Sequence, residues 1–102
     1  MTYSVRFTEH AQADLVRLYQ FVLSRDAADW QVAERALETI RQAVKALEIS
    51  PFSYRKASVD DAFLRELIIP FGSSGYVALF EIEDSETVTI LAIRHQREDD
   101  YR

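Results

Sequence analysis

The sequence predicts an α+β domain of order βααβββ. An N-terminal strand and an antiparallel helical hairpin pack on one face of a mainly antiparallel sheet. Three observations carry this. Apolar residues recur at helical spacing twice in succession in the first half of the chain. Three strand-like runs follow, separated by two turn segments. Helices come first and strands after, which is the order of α+β domains rather than of alternating α/β folds. The 102 residues suffice for one core and read as a single domain, 1–102.

The first element is short. Tyr3-Ser4-Val5-Arg6-Phe7 alternates and holds β-formers, so it reads as a strand. Thr8 has the chemistry of an N-cap, and Glu9 is placed well against the helix dipole. Ala11, Leu15, Leu18, Tyr19 and Val22 then fall three and four apart, one face of a helix from Glu9 to Ser24. The segment from Ser24 to Asp29 is a polar break. In the second helix Ala33, Leu37, Ile40, Val44 and Leu47 repeat at four, three, four and three residues. Ser50-Pro51 ends it, because proline disfavours the α conformation in the residue before it. Trp30, with Tyr19 and Phe21 nearby, is expected in the core of the hairpin.

Phe52 to Ala62 reads as an irregular connection. "FLRELIIP", Phe63 to Pro70, is a strand; Gly72-Ser73-Ser74-Gly75 is a turn holding both glycines of the chain. "YVALFEI", Tyr76 to Ile82, and "TVTILAIRH", Thr87 to His95, complete the sheet, with Glu83 to Glu86 as the second turn. Their apolar residues stand at consecutive positions, so both faces should be shielded. Two helices cover only one sheet face. The other is expected to stay apolar and open to a partner, with Leu67, Ile69, Tyr76, Leu91 and Ile93, or their alternates, as the groove residues.

Composition bounds the function. Apolar residues are 48% and charged residues 28%, as in ordinary globular chains. Net charge is −5; the first fifty residues carry six basic and seven acidic side chains, the remainder six and ten. A phosphate-gripping surface needs a basic excess, so direct nucleic-acid binding by this chain alone is not expected. No apolar run approaches the ~20 residues of a membrane span. The N-terminus lacks the charge-then-apolar pattern of a secretion signal, and cysteine is absent. A cytoplasmic protein is expected, with no membrane partner.

Chemistry-bearing patterns are few. There is no glycine-rich phosphate loop, and His10 and His95 are too far apart in sequence for a standard metal motif, so neither cofactor nor metal is expected. His10 reads as a solvated helix residue and Arg55-Lys56 as a solvated loop. The set that calls for explanation is Arg65, Arg94 and Arg97, with His95 between the last two. One reading is a phosphodiester site, with arginines stabilising a phosphorane and a histidine or tyrosine as acid or base. The other is pairing of Arg94 and Arg97 with Glu66, Glu98, Asp99 or Asp100. Arg65 and Glu66 must point to opposite faces of their strand, so one of them turns toward the helices and must be paired or at an edge. Arg65 and His95 are expected to be more buried than Arg94 or Arg97.

Taken in order, several segments resemble a known family. These are Val5-Arg6-Phe7-Thr8 with Ala11, Ala13 and Asp14-Leu15, then Ala46-Leu47 with Pro51-Phe52, then Leu64-Arg65-Glu66-Leu67. Gly75 to Phe80, Val88 to Ile93 and Arg94-His95-Gln96-Arg97 complete the series. Together they resemble the ParE branch of the RelE/ParE superfamily of type II toxin–antitoxin toxins, often labelled plasmid stabilisation proteins. The resemblance implies a RelE/ParE-like βααβββ fold and a toxin that inhibits DNA gyrase by binding, without catalysis of its own. It also implies a cognate ParD-like antitoxin with a ribbon-helix-helix part and a C-terminal segment that wraps the toxin. Arg65, Arg94, His95, Arg97 and Tyr101 are then the recognition candidates. The RelE branch, ribosome-dependent mRNA endonucleases, is the alternative. It carries basic residues where this chain has Ile68, Pro70 and Val77, although Arg97 and Tyr101 match that branch. An inactive toxin retained as an antitoxin-binding module is the third reading.

Overall fold

The computed structural model describes residues 2–25, 30–72 and 74–96. Strand β1 (Ser4–Phe7) leads into helix α1 (Glu9–Arg25), followed by α2 (Trp30–Lys45). Two 3₁₀ turns, Ala46–Glu48 and Pro51–Ser53, carry the chain back to the sheet. Strands β2 (Arg55–Ser58), β3 (Asp61–Phe71), β4 (Ser74–Ile82) and β5 (Thr87–His95) follow. The sheet order is β1-β5-β4-β3-β2. β1 runs parallel to β5, and the other neighbours are antiparallel. The expected α+β architecture is present, with one strand more than the sequence predicts.

That strand is β2, inside the stretch read as an irregular connection. Its sequence, RKAS, has no apolar alternation, and its first two residues are exposed. Only pairing makes it a strand: Arg55 lies opposite Glu66 and Lys56 opposite Arg65. It is a short, charged edge strand, a form that blunts unwanted pairing with other chains.

The core lies between the hairpin and one sheet face. Ala36, Ile40, Val44 and Leu47 from the second helical segment meet Leu67, Ile69, Phe80 and Ile90 from the sheet. Trp30 and Phe21, expected in this core, are instead 54% and 56% exposed. They sit where the two helices approach their connection, and Trp30 precedes the first buried position of α2, Ala33, by a turn. Leu67, Ile69, Tyr76 and Ile93 are buried in the core beneath the helices and so do not form an open groove. The strand register fixes this, because Leu67, Ala78 and Ile93 lie side by side, as do Ile69, Tyr76 and His95.

A bulge in β5 decides the rest. Leu79 pairs with Ala92 and Phe80 with Ile90, leaving Leu91 without a partner on β4. One extra residue reverses the alternation. Before the bulge, Val88 and Ile90 face the core; after it, Ile93 and His95 do. β1 pairs with β5 only as far as Ile90, so the outer edge of the bulged segment needs other hydrogen-bond partners. Helix α1 supplies them. The Thr8 hydroxyl accepts from Ala11 N–H at 3.0 Å as an N-cap and donates to the Leu91 carbonyl at 3.2 Å. Asp14, only 3% exposed, accepts Ile93 N–H at 2.8 Å, and Arg17 donates to the Ile93 carbonyl at 3.3 Å. Arg17 also stands 3.7 Å from the Asp14 carboxylate, and His10 stands 3.5 Å from it.

Gly75 opens the β4 side of the β3–β4 turn with φ 153°, and a Cβ there would collide with the Ile69 carbonyl. Glycine is therefore required by close backbone approach as well as by φ.

Asp14→Ala leaves Ile93 N–H buried without an acceptor and is expected to cost about 1–3 kcal/mol. Asp14→Asn keeps an acceptor oxygen and should cost less. Urea unfolding of the two variants beside the unsubstituted chain measures the order.

Candidate functional site

The register divides the arginine–histidine set between two surfaces. Arg65 lies opposite Phe80 and so points to the helix side of the sheet, near its β2 edge. Its Nη1 donates to the carbonyls of Tyr54 at 2.7 Å and Phe52 at 3.3 Å, and its Nε donates to the Ala62 carbonyl at 2.7 Å. Its guanidinium carbon stands 5.3 Å from the centroid of the Phe52 ring. A planar fork of donors suits several carbonyls at once, and here it clasps the Pro51–Ser53 turn to β3. The charge turned toward the helices was expected to be paired or at an edge, and Arg65 is near the β2 edge, with backbone carbonyls as its partners. Glu66, on the opposite face, holds Arg55 at 3.0 Å.

Arg94 lies opposite Val77 and points to the face away from the helices. Its Nη1 donates to the carbonyls of His95 at 3.2 Å and Gln96 at 3.3 Å, closing the end of β5. His95 turns the other way. Its Nε2 lies 3.0 Å from Ser74 Oγ, and its ring meets Tyr76 edge-on with centroids 5.7 Å apart. Burial of Tyr76 pushes its phenol above the ordinary tyrosine range, so it is neutral at physiological pH. Arg65, Arg94 and His95 are all half-buried. Arg97 and Tyr101 lie outside the described residues. The structure thus joins His95 to Ser74 and Tyr76 and keeps Arg65 and Arg94 on opposite faces. The Ser74 contact was not legible in the sequence, because it depends on the bulge that turns His95 inward.

Both described helices lie on one face, and the other carries a narrow apolar strip. By register Ile68, Val77, Leu79 and Ala92 belong to it, the alternates of the residues expected there. Ile68 is 39% exposed and Leu79 half-buried, while Val77 and Ala92 are buried between larger neighbours. Leu91, at the bulge, is half-buried. Charge frames the strip: Arg6 reaches Thr89 Oγ1 at 2.9 Å and Glu83 at 3.1 Å, and Arg55 pairs with Glu66. The open face is narrower and more charged than its sequence suggests. His10, expected on a solvated helix surface, has a half-exposed side chain, and the exposed Arg55 and Lys56 stand on β2 rather than in a loop. Among the described residues no cluster of three His, Cys, Asp or Glu side chains could hold a metal ion. Nor is any described helix long and apolar enough to cross a membrane.

The model of the family described as "ParE toxin of type II toxin-antitoxin system, parDE" matches residues 5–100. The chain belongs to the ParE toxin family. Among solved structures, the chromosomal ParDE toxin–antitoxin system from P. aeruginosa superposes with a TM-score of 0.72. That match has 22% identity and covers 91% of this chain and 95% of the other, which shows a shared fold. No curated protein matches the chain in sequence. Membership makes this chain the toxin partner of a ParDE-type system.

In this ParE chain Arg65 ties the Pro51–Ser53 turn to β3. Arg65→Ala is expected to lower stability by about 1–2 kcal/mol, or several degrees in melting temperature for a domain of this size. A pure recognition residue would leave the thermal unfolding curve in place.

Proposed function

We propose that this ParE toxin inhibits DNA gyrase by binding it, with no catalysis of its own, and that a cognate ribbon-helix-helix, ParD-like antitoxin in the same cytoplasm neutralises it. The family match over residues 5–100 carries the reading. The arrangement of the arginines supports it. A phosphoryl-transfer site stabilises charge with preorganised cations converging on one point. Here Arg65 spends its donors on carbonyls at one sheet edge, and Arg94 lies on the opposite face. Ile68, Pro70 and Val77 stand where the nuclease branch carries basic side chains.

The open face supports the antitoxin part. The strip around Ile68 and Leu79 suits the apolar side of a wrapping segment, and the framing charges suit its polar rim. The acidic balance of the chain, −5, agrees with a protein partner better than with a phosphate-rich one.

A supercoiling assay with purified gyrase tests the activity. The toxin is expected to block supercoiling near equimolar ratio and to lose this effect when antitoxin is added. Unchanged supercoiling at a large excess of toxin would overturn the gyrase reading. Cleavage of mRNA on translating ribosomes would overturn the non-catalytic one.

A further inference from the structure

On the helix side of the sheet, where β3 turns into β4, lies a cleft of about 250 Å³. Leu18 and Val22 of α1, Val32 of α2 and Phe71 of β3 give it apolar walls, and Phe21 stands at its lip, 56% exposed. Among the described residues its polar side chains are Ser74, His95 and Tyr76. Phe71 and Tyr76 present tilted rings 6.1 Å apart. Apolar walls with a few converging polar groups are the usual make-up of a ligand pocket.

The chemistry of the floor narrows the occupant. A serine hydroxyl has one donor and two acceptor sites. The contact between Ser74 Oγ and His95 Nε2 at 3.0 Å uses one of them in either tautomer of the ring. That contact leaves at least one acceptor site of Ser74, which lines the cleft, unused. Size narrows it further. An enclosed apolar cavity of ~150 Å³ takes up benzene, so this cleft has room for a ring and one substituent. Aromatic walls favour an aromatic guest, through edge and offset contacts.

The geometry points to a receptor for one aromatic ring bearing an O–H or N–H donor: a tyrosine or tryptophan side chain presented by a partner polypeptide. The exposed Phe21 at the lip gives the flanking backbone of such a segment an apolar rest, and buried aromatic anchors of this kind dominate protein interfaces. The cleft lies on the helix side of the sheet, away from the open face. The inference therefore stands or falls independently of the antitoxin surface proposed above.

Amide NMR titration of the full chain tests it, with Ac-Gly-Tyr-Gly-NH₂, Ac-Gly-Phe-Gly-NH₂ and p-cresol as probes. Saturable shifts are expected at Leu18, Val22, Ser74 and Tyr76. The tyrosine peptide should bind about three- to tenfold more tightly than the phenylalanine peptide, the size of one net hydrogen bond. Ser74→Ala should abolish that difference and leave the phenylalanine peptide unaffected. Should Ser74→Ala fail to fold, the contrast between the two peptides on the unsubstituted chain decides. Three results would overturn the proposal: no saturable shift at the cleft, equal affinity for the two peptides, or binding of p-cresol without either peptide.

Discussion

The carboxylate of Asp14 on the amide of Ile93 is the contact on which the rest of this structure depends. β1 is too short to pair with the whole of β5, and from the bulge at Leu91 onward, more than half of that strand, its outer edge has no strand neighbour among the described residues. Buried backbone donors and acceptors must find partners. Thr8, Asp14 and Arg17 provide them from one helix. The same contacts set the docking of α1 on the sheet, so helix position and strand phase are decided together. A charged acceptor that is almost fully buried is costly unless it is engaged. Here the amide of Ile93 and the nearby Arg17 and His10 engage it.

From that phase the functional surfaces follow. Had β5 kept its alternation, Arg94 would face the helices and His95 the open side. With the bulge, His95 reaches Ser74 and Tyr76, and Arg94 joins the framed apolar strip. Arg65 and Arg94 lie on opposite faces of the sheet, and each is tied to backbone carbonyls. An arrangement of this kind offers shaped surfaces rather than a converging set of cations.

Much of the molecule was legible without its structure. The helix start at Thr8, the extent of β5 and the glycine turn rest on local chemistry: capping, periodicity and backbone freedom. The second α-helix was expected to run to Ser50-Pro51 but ends at Lys45, where the chain tightens into a 3₁₀ turn. The opposition of Arg65 and Glu66 was legible too, because neighbours on a strand always diverge. Trp30 and Phe21 were misplaced, since apolar character and helical spacing do not reveal where a hairpin runs past its sheet. The role of Arg65 was missed because its partners, the carbonyls of Phe52, Tyr54 and Ala62, carry no side-chain signature.

The sequence by itself determined the type and order of the long elements and the family to which they belong, because periodicity and caps act over a few residues. The tertiary structure alone decided which residues of β3, β4 and β5 face the helices, and it alone made a strand of Arg55–Ser58. The physical reason is common to both. A strand's facing has period two, so one unpaired residue exchanges its faces, and a short polar strand exists only through the neighbour that pairs with it.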